Sequence, residues 1–241
     1  MNFFDDLKNK KILVVGASQG IGKQVCIQLN KLGSKIYALA RNKQNLKNLS
    51  EQIDAKLLEC DINIEKQVVS IANEIDPIDG ICFIAGFVKL LPPKFLMKKT
   101  IEPQFTTNII SPLSFLGEFL RKKKINDKAS IIFTSAAARM NHPPCSVPYA
   151  SAKMGLIGAS KALVKDLSFS NKMRFNVVSF DYVETEMIKN MKVNDKDIVS
   201  VSPVEHTATP YIFLLSSRSK WINGQIIAAD AGRMLSKTRY V

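Results

Sequence analysis

The sequence predicts a single α/β domain built on a doubly wound parallel sheet of about seven strands, with helices on both faces. Three observations predict this fold class. Short apolar runs alternate with amphipathic segments along all 241 residues. A glycine-rich loop directly follows the first apolar run, and no linker, low-complexity tract or internal repeat divides the chain. This alternation is typical of strands buried on both faces of a parallel sheet and joined by helical crossovers.

Each predicted strand is a short run rich in apolar and β-branched residues. The first run, residues 11–15, reads Lys-Ile-Leu-Val-Val. The other predicted strands span residues 35–40, 56–60, 81–85, 130–134, 174–179 and 225–229. Ligands of doubly wound sheets bind beyond the carboxyl ends of the strands. The residues that close these strands are therefore the first candidates for a functional site.

The segments between the strands have helical periodicity. The first, residues 23–32, stops at Gly33, a residue that commonly terminates helices. The other predicted helices span residues 44–53, 64–75, 102–124, 146–169 and 203–215. Residues 184–200 are polar and irregular, and they predict a lid over a binding site.

The composition excludes several classes of function. The net charge is +13, but the lysines are spread over the chain, and the densest basic run, residues 121–124, closes a predicted helix where cations suit the helix dipole. We therefore predict no nucleic-acid partner. No apolar run reaches the roughly eighteen residues that cross a bilayer, and the acidic start lacks the features of a signal peptide. We expect a soluble, cytoplasmic protein with reduced cysteines and no bound metal.

The glycine-rich loop, residues 16–22, reads Gly-Ala-Ser-Gln-Gly-Ile-Gly between the first strand and the first helix. Glycines let the backbone approach a pyrophosphate, and the helix N-terminus offers free N–H groups and a positive potential. With a strand before it and a helix after it, the loop predicts dinucleotide binding. The alternative is a flexible strand-to-helix turn.

Tyr149 and Lys153 are four residues apart on a predicted helix, so they lie on one face of it. A phenol has an ordinary pKa of about 10, and a neighbouring ammonium lowers that pKa by favouring the phenolate. The pair is therefore a candidate proton donor or acceptor. The alternative is a helix face without chemistry.

These motifs stand in the order found in the short-chain dehydrogenase/reductase family, which the sequence resembles over nearly its whole length. The matching segments are Gly16-x-x-x-Gly20-x-Gly22, Cys60-Asp61-Ile62, Asn108, Tyr149-x-x-x-Lys153, Val183-x-Thr185, and residues 222–225 with 230–232. The sequence is most similar to beta-ketoacyl-ACP reductases. The resemblance implies one Rossmann-like NAD(P)-binding domain over residues 1–241, assembled as a homotetramer or homodimer through the two long helices.

The family's chemistry is hydride transfer between nicotinamide and a ketone or secondary alcohol. The resemblance implies that Tyr149 donates its proton to the carbonyl oxygen, and that Lys153 lowers the pKa of Tyr149 and holds the nicotinamide ribose. Asn108 would help to fix a water in a proton relay. A beta-ketoacyl thioester delivered by an acidic carrier protein is one candidate substrate, and a sugar or polyketide carbonyl is an equal alternative.

The resemblance also implies a set of cofactor-binding residues: Gly16, Ser18, Gln19, Gly20, Ile21, Gly22, Arg41, Asp61, Ile62, Ala85, Gly86, Tyr149, Lys153, Val183 and Thr185. Residues 40–42, at the end of the second strand, contain no carboxylate that would repel a 2′-phosphate, and Arg41 could pair with one. We therefore predict NADP(H) in preference to NAD(H). The alternative is that Arg41 is a solvated loop residue.

Three departures from the family pattern concern the site. The family's active-site serine falls on Ala136. Either a small shift of the loop lets the preceding Ser135 serve as the catalytic hydroxyl, with Thr134 as a weaker substitute, or the site lacks this hydroxyl. Such a donor is typically worth several kcal/mol in the transition state. The Asn-Asn-Ala-Gly that usually follows strand four is residues 83–86, Phe-Ile-Ala-Gly, and the usual Pro-Gly after strand six is Phe180-Asp181. These departures motivate an alternative, a catalytically impaired homologue that binds NADP(H) as a sensor or complex partner.

Overall fold

The computed structural model describes residues 3–136, 144–170, 172–189 and 201–232. These residues form one parallel sheet of seven strands in the order β3-β2-β1-β4-β5-β6-β7. The strands are β1 (Lys11–Val15), β2 (Lys35–Ala40), β3 (Ala55–Glu59), β4 (Ile78–Phe83), β5 (Ile125–Ala136), β6 (Arg174–Phe180) and β7 (Ile226–Ala229). The predicted fold class is confirmed.

Helices cover both faces of this sheet. They are α1 (Gly20–Lys31), α2 (Lys43–Ser50), α3 (Glu65–Glu74), α4 (Lys98–Phe105), α5 (Ser111–Arg121), α6 (Val147–Leu167), α7 (Glu186–Lys189) and α8 (Thr209–Leu215). The strand order reverses at β1, whose neighbours are β2 on one side and β4 on the other. In doubly wound sheets the crevice at this reversal is where ligands bind.

Strand β1 shows how the sequence pattern produces the layers. Ile12 and Val14 are buried in the apolar cluster that includes residues of α1 and α8, whereas Leu13 and Val15 are buried in the cluster under α3, α5 and α6. Successive side chains of a strand point to opposite faces, so a strand covered on both faces must be apolar throughout. Fully burying one such side chain contributes about 1.5–3 kcal/mol.

The predicted helix over residues 102–124 is not continuous. Between α4 and α5 the chain forms a π-helical segment, Thr106–Ile110, which contains the buried Asn108. Pro112, in the first turn of α5, has no N–H to donate to the carbonyl of Asn108 four residues earlier. A missing α-helical bond of this kind favours a local change of helical pitch.

Strand β5 is longer than the predicted residues 130–134. Its start, around Ile125, pairs with Ile78 of β4 before a shift of register. The polar residues 126–128 hide this part of the strand from a search for apolar runs.

The predicted lid lies only partly within the described residues. Residues 184–189 are described and contain α7, whereas residues 190–200 and 137–143 lie outside the described part of the chain. Among the described helices, none is long and apolar enough to cross a membrane. All four cysteines are free thiols.

Candidate active site

A cleft of about 410 Å³ lies at the carboxyl ends of the strands, around the reversal at β1. Every predicted cofactor residue lines this cleft except Gly22. The predicted catalytic residues Ser135, Tyr149 and Lys153 also line it, and Asn108 lies behind its wall with no exposed surface. The fold thus brings together residues that are separated by up to 169 positions, from Gly16 to Thr185.

The glycine-rich loop packs too closely for any side chain at two of its glycines. Gly16 has a φ of +94°, and a Cβ atom there would lie 2.6 Å from the backbone nitrogen of Ala85. A Cβ atom on Gly22 would lie 2.0 Å from the carbonyl oxygen of Gly16. The bare backbone and the N-terminal turn of α1 therefore form a cradle beside the cleft, which suits the pyrophosphate of a dinucleotide.

Tyr149 and Lys153 lie together on α6, as predicted, with the Lys153 Nζ atom 5.8 Å from the centre of the Tyr149 ring. Lys153 is only 3% exposed, and its Nζ atom donates to the carbonyl oxygen of Thr134 at 2.9 Å. Burial lowers the pKa of Lys153 to about 8. At neutral pH this amine is therefore protonated in most molecules.

The lowering of the Tyr149 pKa by Lys153 stays a prediction. Burial raises the pKa of Tyr149 to about 12. Tyr149 is therefore a neutral phenol at physiological pH. It is ready to donate a proton, but its conjugate base needs further stabilisation.

Asn108 uses its whole amide to hold the wall of the cleft. Its Nδ2 atom donates to the carbonyl oxygens of Phe87 (2.6 Å) and Gln104 (2.8 Å), and its Oδ1 atom accepts from the Phe87 N–H at 3.1 Å. A Cβ atom on Gly86 would lie 3.2 Å from this Oδ1 atom and 3.4 Å from the Lys153 Nζ atom. Asn108 and Lys153 therefore converge on Gly86, and the side-chain amide of Asn108 is occupied by protein partners.

The hydroxyl of Ser135, the predicted catalytic hydroxyl, has a partner within the protein. Its Oγ atom donates to the carbonyl oxygen of Lys153 at 3.0 Å, and the residue is buried between β5 and α6. A hydroxyl has one proton, and this bond uses it. The next residue, Ala136, lines the cleft and has no hydroxyl. The choice between Ser135 and a site without this hydroxyl therefore stays a prediction.

Arg41 lies at the end of the cleft that the resemblance assigns to the adenosine. Its Nη1 atom is 3.7 Å from the Oδ2 atom of Asp61, and the two side chains are 67% and 27% exposed, respectively. The Oδ1 atom of Asp61 accepts from the backbone N–H of Asn63 at 3.0 Å. Exposed ion pairs are typically worth about 0–1 kcal/mol. The guanidinium can therefore leave Asp61 for a stronger anionic partner at little cost.

Several polar residues of the cleft were missed by the sequence analysis, among them Asn45, Asn63, Thr107 and Glu186. Asn63 bridges two elements, since its Nδ2 atom donates to the Thr107 hydroxyl (3.2 Å) and its Oδ1 atom accepts from the Ser111 hydroxyl (2.8 Å). Single polar residues in loops and helices give no periodic signal. Of these residues, Thr107 alone could have been predicted to lie at the site, because it precedes Asn108. The described part of the chain contains no cluster of His, Cys, Asp and Glu that could hold a metal ion.

Known proteins match both the sequence and the structure. An L-xylulose reductase from Caenorhabditis elegans is 26% identical over 244 residues, covering 94% of this chain and 96% of the relative. A 3-oxoacyl-acyl-carrier-protein reductase from Rickettsia bellii is 23% identical over 239 residues, covering 95% of this chain and 99% of the relative.

Two solved structures share the fold at low sequence identity. A 3-oxoacyl-acyl-carrier-protein reductase from Brucella melitensis superposes with a TM-score of 0.85 at 17% identity, covering 95% of this chain and 92% of the other. A protein from Beutenbergia cavernae, described as an NAD(P) dependent gluconate 5-dehydrogenase with NADP bound at low occupancy, gives a TM-score of 0.86 at 18% identity, covering 95% and 98%. The family described as short chain dehydrogenase matches residues 10–196. The chain therefore belongs to the short chain dehydrogenase family.

Proposed function

We propose that this protein is an NADP(H)-dependent oxidoreductase that interconverts a ketone and a secondary alcohol, with Tyr149 as the proton donor. The observation that carries the proposal is the convergence of Tyr149, Lys153 and the Asn108 segment beside Gly86, in the same cleft as the glycine cradle. When bound, the nicotinamide supplies or accepts the hydride. The chain supplies binding, orientation and the proton.

The residues around the cleft fit such a cofactor in order along its length. The glycine cradle would hold the pyrophosphate, and Asp61 and Ile62 would lie against the adenine. The small residues Ala85 and Gly86, just after β4, would leave space for the cofactor. Val183 and Thr185 would bind the carboxamide, and Tyr149 and Lys153 the ribose. Thr185 lies next to the cradle, because a Cβ atom added to Gly20 would lie 3.0 Å from its Cγ2 atom.

The proton chemistry follows from the state of the two side chains on α6. Tyr149 is neutral, since burial raises its pKa to about 12, so it can give a proton to an oxygen that gains negative charge during reduction. The phenolate left behind is an anion in a buried place. The Lys153 ammonium beside its ring would stabilise that anion.

The preference for NADP(H) rests on Arg41. The 2′-phosphate of NADP is a dianion that can accept two hydrogen bonds from a guanidinium. In the cofactor-free protein the Arg41 guanidinium instead forms an exposed ion pair with the Asp61 carboxylate, at 3.7 Å. A charge-assisted hydrogen bond contributes about 1.5–3 kcal/mol, which exceeds the worth of that ion pair. Arg41 would then turn from Asp61 to the phosphate.

Replacing this guanidinium tests the cofactor preference. We expect Arg41→Ala to weaken NADPH binding by about 10- to 100-fold and to change NADH binding by less than about threefold, because NADH lacks the phosphate. The measurement is a fluorescence titration with each cofactor. Lys43→Ala, which removes an exposed cation that pairs with Glu59 outside the cleft, is the matched control. Equal weakening of NADH and NADPH would exclude a role for Arg41 in recognising the phosphate.

The substrate is proposed from chemistry and from the relatives. A beta-ketoacyl thioester on an acidic carrier protein suits a chain of net charge +13, and the bacterial relatives are named as reductases of such thioesters. A sugar ketone is the competing substrate, since another relative is named as an L-xylulose reductase. We also propose a homotetramer or homodimer through the two long helical segments that contain α5 and α6. Ile110, directly before α5, and Met154, on α6, have exposed side chains.

The assay that tests the proposed function follows NADPH oxidation by absorbance with a beta-ketoacyl thioester and with L-xylulose, and repeats both with NADH. Turnover with NADPH in preference to NADH supports the proposal, and the better substrate decides between the two classes. NADH preference would overturn the cofactor assignment. NADPH binding without turnover on either substrate would favour the catalytically impaired alternative, because a polarising hydroxyl is missing at Ala136.

Restoring that hydroxyl gives a direct test of the alternative. If its absence limits the natural site, Ala136→Ser should raise turnover by at least about tenfold, since removing a comparable donor costs about 10²–10³. Ser135→Ala is the matched control, and it should lower thermal stability with a smaller effect on rate, because its hydroxyl bonds to the Lys153 carbonyl. A rate unchanged in Ala136→Ser but abolished in Ser135→Ala would restore Ser135 as the working hydroxyl.

A further inference from the structure

At the end of β5, two neighbouring hydroxyl groups form hydrogen bonds to the helical layers on opposite faces of the sheet. Ser135 bonds to α6 through the Lys153 carbonyl oxygen, whereas the Oγ1 atom of Thr134 lies 2.6 Å from the hydroxyl oxygen of Tyr211 on α8. Side chains alternate along a strand, so consecutive residues reach opposite layers. Tyr211 thus holds the strand from the face opposite the Tyr149–Lys153 helix.

Thr134 also holds the ammonium of the candidate site. Its carbonyl oxygen accepts the hydrogen bond from the Lys153 Nζ atom at 2.9 Å, in a buried position. Tyr211 fixes the side chain of Thr134, and Thr134 orients Lys153 through its backbone. The two contacts form a continuous path from α8 to the candidate proton relay.

The hydroxyl of Tyr211 is not needed to fill space. Tyr211 is fully buried, and its ring stacks at 6.0 Å on Phe180, which lines the cleft. A phenylalanine would fill nearly the same volume. A buried hydroxyl costs free energy unless it is hydrogen-bonded, and here Thr134 is the partner. The pair is therefore a specific polar contact within an otherwise apolar layer.

We propose that Tyr211 is a positioning residue for Lys153, which it orients through Thr134 at the end of β5. The inference rests on the proposed function, in which Lys153 supports proton transfer by Tyr149. It adds a residue from the far face of the sheet to the determinants of that transfer.

The other titratable groups near this path are unchanged by a Tyr211→Phe variant. Tyr149 lies beside Lys153 on the same helix, and Asp181, after β6, lines the same cleft. Cys82 of β4 lies close enough to Tyr211 to influence its titration, and burial raises the pKa of both groups well above their ordinary values. Thr134 bonds both to Tyr211 and to Lys153, so we expect a change in the titration of Lys153 in Tyr211→Phe to be transmitted through it.

The test compares the pH dependence of carbonyl reduction in wild type and Tyr211→Phe. Without the hydroxyl, the Thr134 carbonyl is held less firmly and stabilises the ammonium less, so Lys153 should lose its proton at a lower pH. We expect the alkaline limb of the kcat profile to move down by about half a pH unit or more, and kcat to fall by about threefold to tenfold.

Two variants separate positioning from mere stability. Ser130 lies on the same strand and also bonds to α8, since its Oγ atom donates to the Leu214 carbonyl oxygen at 2.7 Å. Ser130→Ala should destabilise the protein without moving the pH profile. The double variant Tyr211→Phe/Thr134→Val replaces both polar partners with apolar ones, so stability should recover while the shifted profile persists. A profile that returns to that of wild type in the double variant would overturn the inference.

A direct titration of the Lys153 amine tests the positioning role independently of the proposed function. Carbon-13 NMR of the Lys153 side chain, assigned by its loss in Lys153→Met, reports the protonation of the amine without any substrate. If Tyr149→Phe retains full turnover, the proposed function fails, and the NMR titration still tests the positioning role. An unchanged titration of Lys153 in Tyr211→Phe would overturn the inference even if the protein is a reductase.

Discussion

Tyr149→Phe should lower turnover by about 10²–10⁴-fold, the usual contribution of a positioned general acid, and should leave NADPH binding nearly unchanged. The phenol carries a proton at neutral pH, because burial raises its pKa to about 12, and in the proposed function it gives this proton to the carbonyl oxygen. Phenylalanine fills the same space on α6 and removes only the acid. The loss should therefore appear in kcat and leave the dissociation constant of the cofactor almost untouched.

The control for this variant is Tyr37→Phe, which removes a phenol hydroxyl from β2 at a position that does not line the cleft. Tyr37→Phe should keep wild-type turnover. Residual turnover in Tyr149→Phe above about a tenth of the wild-type rate would exclude Tyr149 as the essential acid. A large loss of NADPH binding in the same variant would instead make ribose binding the main role of the Tyr149 hydroxyl.

The fold could be predicted because each level of the sequence points to the same answer. In the first strand, residues 12–15 are apolar at four successive positions, as expected of a strand covered on both faces. Position 16 requires glycine because its φ is positive and a Cβ atom there would clash with Ala85. The glycine in the sequence therefore indicates the close packing of this loop. Among the residues that line the cleft, Arg41, Asp61 and Ala85 follow from their places just after the strands.

Details that depend on three-dimensional surroundings could not be predicted. The spacing of Tyr149 and Lys153 places them on one face, but it does not show that burial raises the pKa of the phenol. The direction of the Ser135 side chain depends on which face of β5 packs on α6. Tyr211 carries no signal at all, since it lies in an apolar helix and acquires its role only through contact with Thr134, 77 positions away.

Lys153→Met should abolish turnover and, unusually for a buried substitution, stabilise the cofactor-free protein at neutral pH. Burial lowers the pKa of Lys153 from 10.5 to about 8, which corresponds to about 3 kcal/mol of unfavourable free energy for keeping the charged amine inside the fold. Methionine has a similar length and no charge. The lost bond to the Thr134 carbonyl offsets about 1 kcal/mol of the gain, so the free energy of unfolding should rise by about 2 kcal/mol at pH 7.

The pH dependence of the stability gained by Lys153→Met tests whether relief of a buried charge causes it. Between pH 8 and 10.5 the unfolded wild-type chain binds more protons at this lysine than the folded protein does, so wild-type stability gains from this group as the pH rises. Lys153→Met lacks that gain, and its advantage in urea unfolding should disappear near pH 10. Lys161→Met, which replaces an exposed lysine of the same helix, should show no such pH-dependent difference from wild type. An advantage that is equal at pH 7 and pH 10 would mean that better packing, and not relief of a buried charge, stabilises the variant.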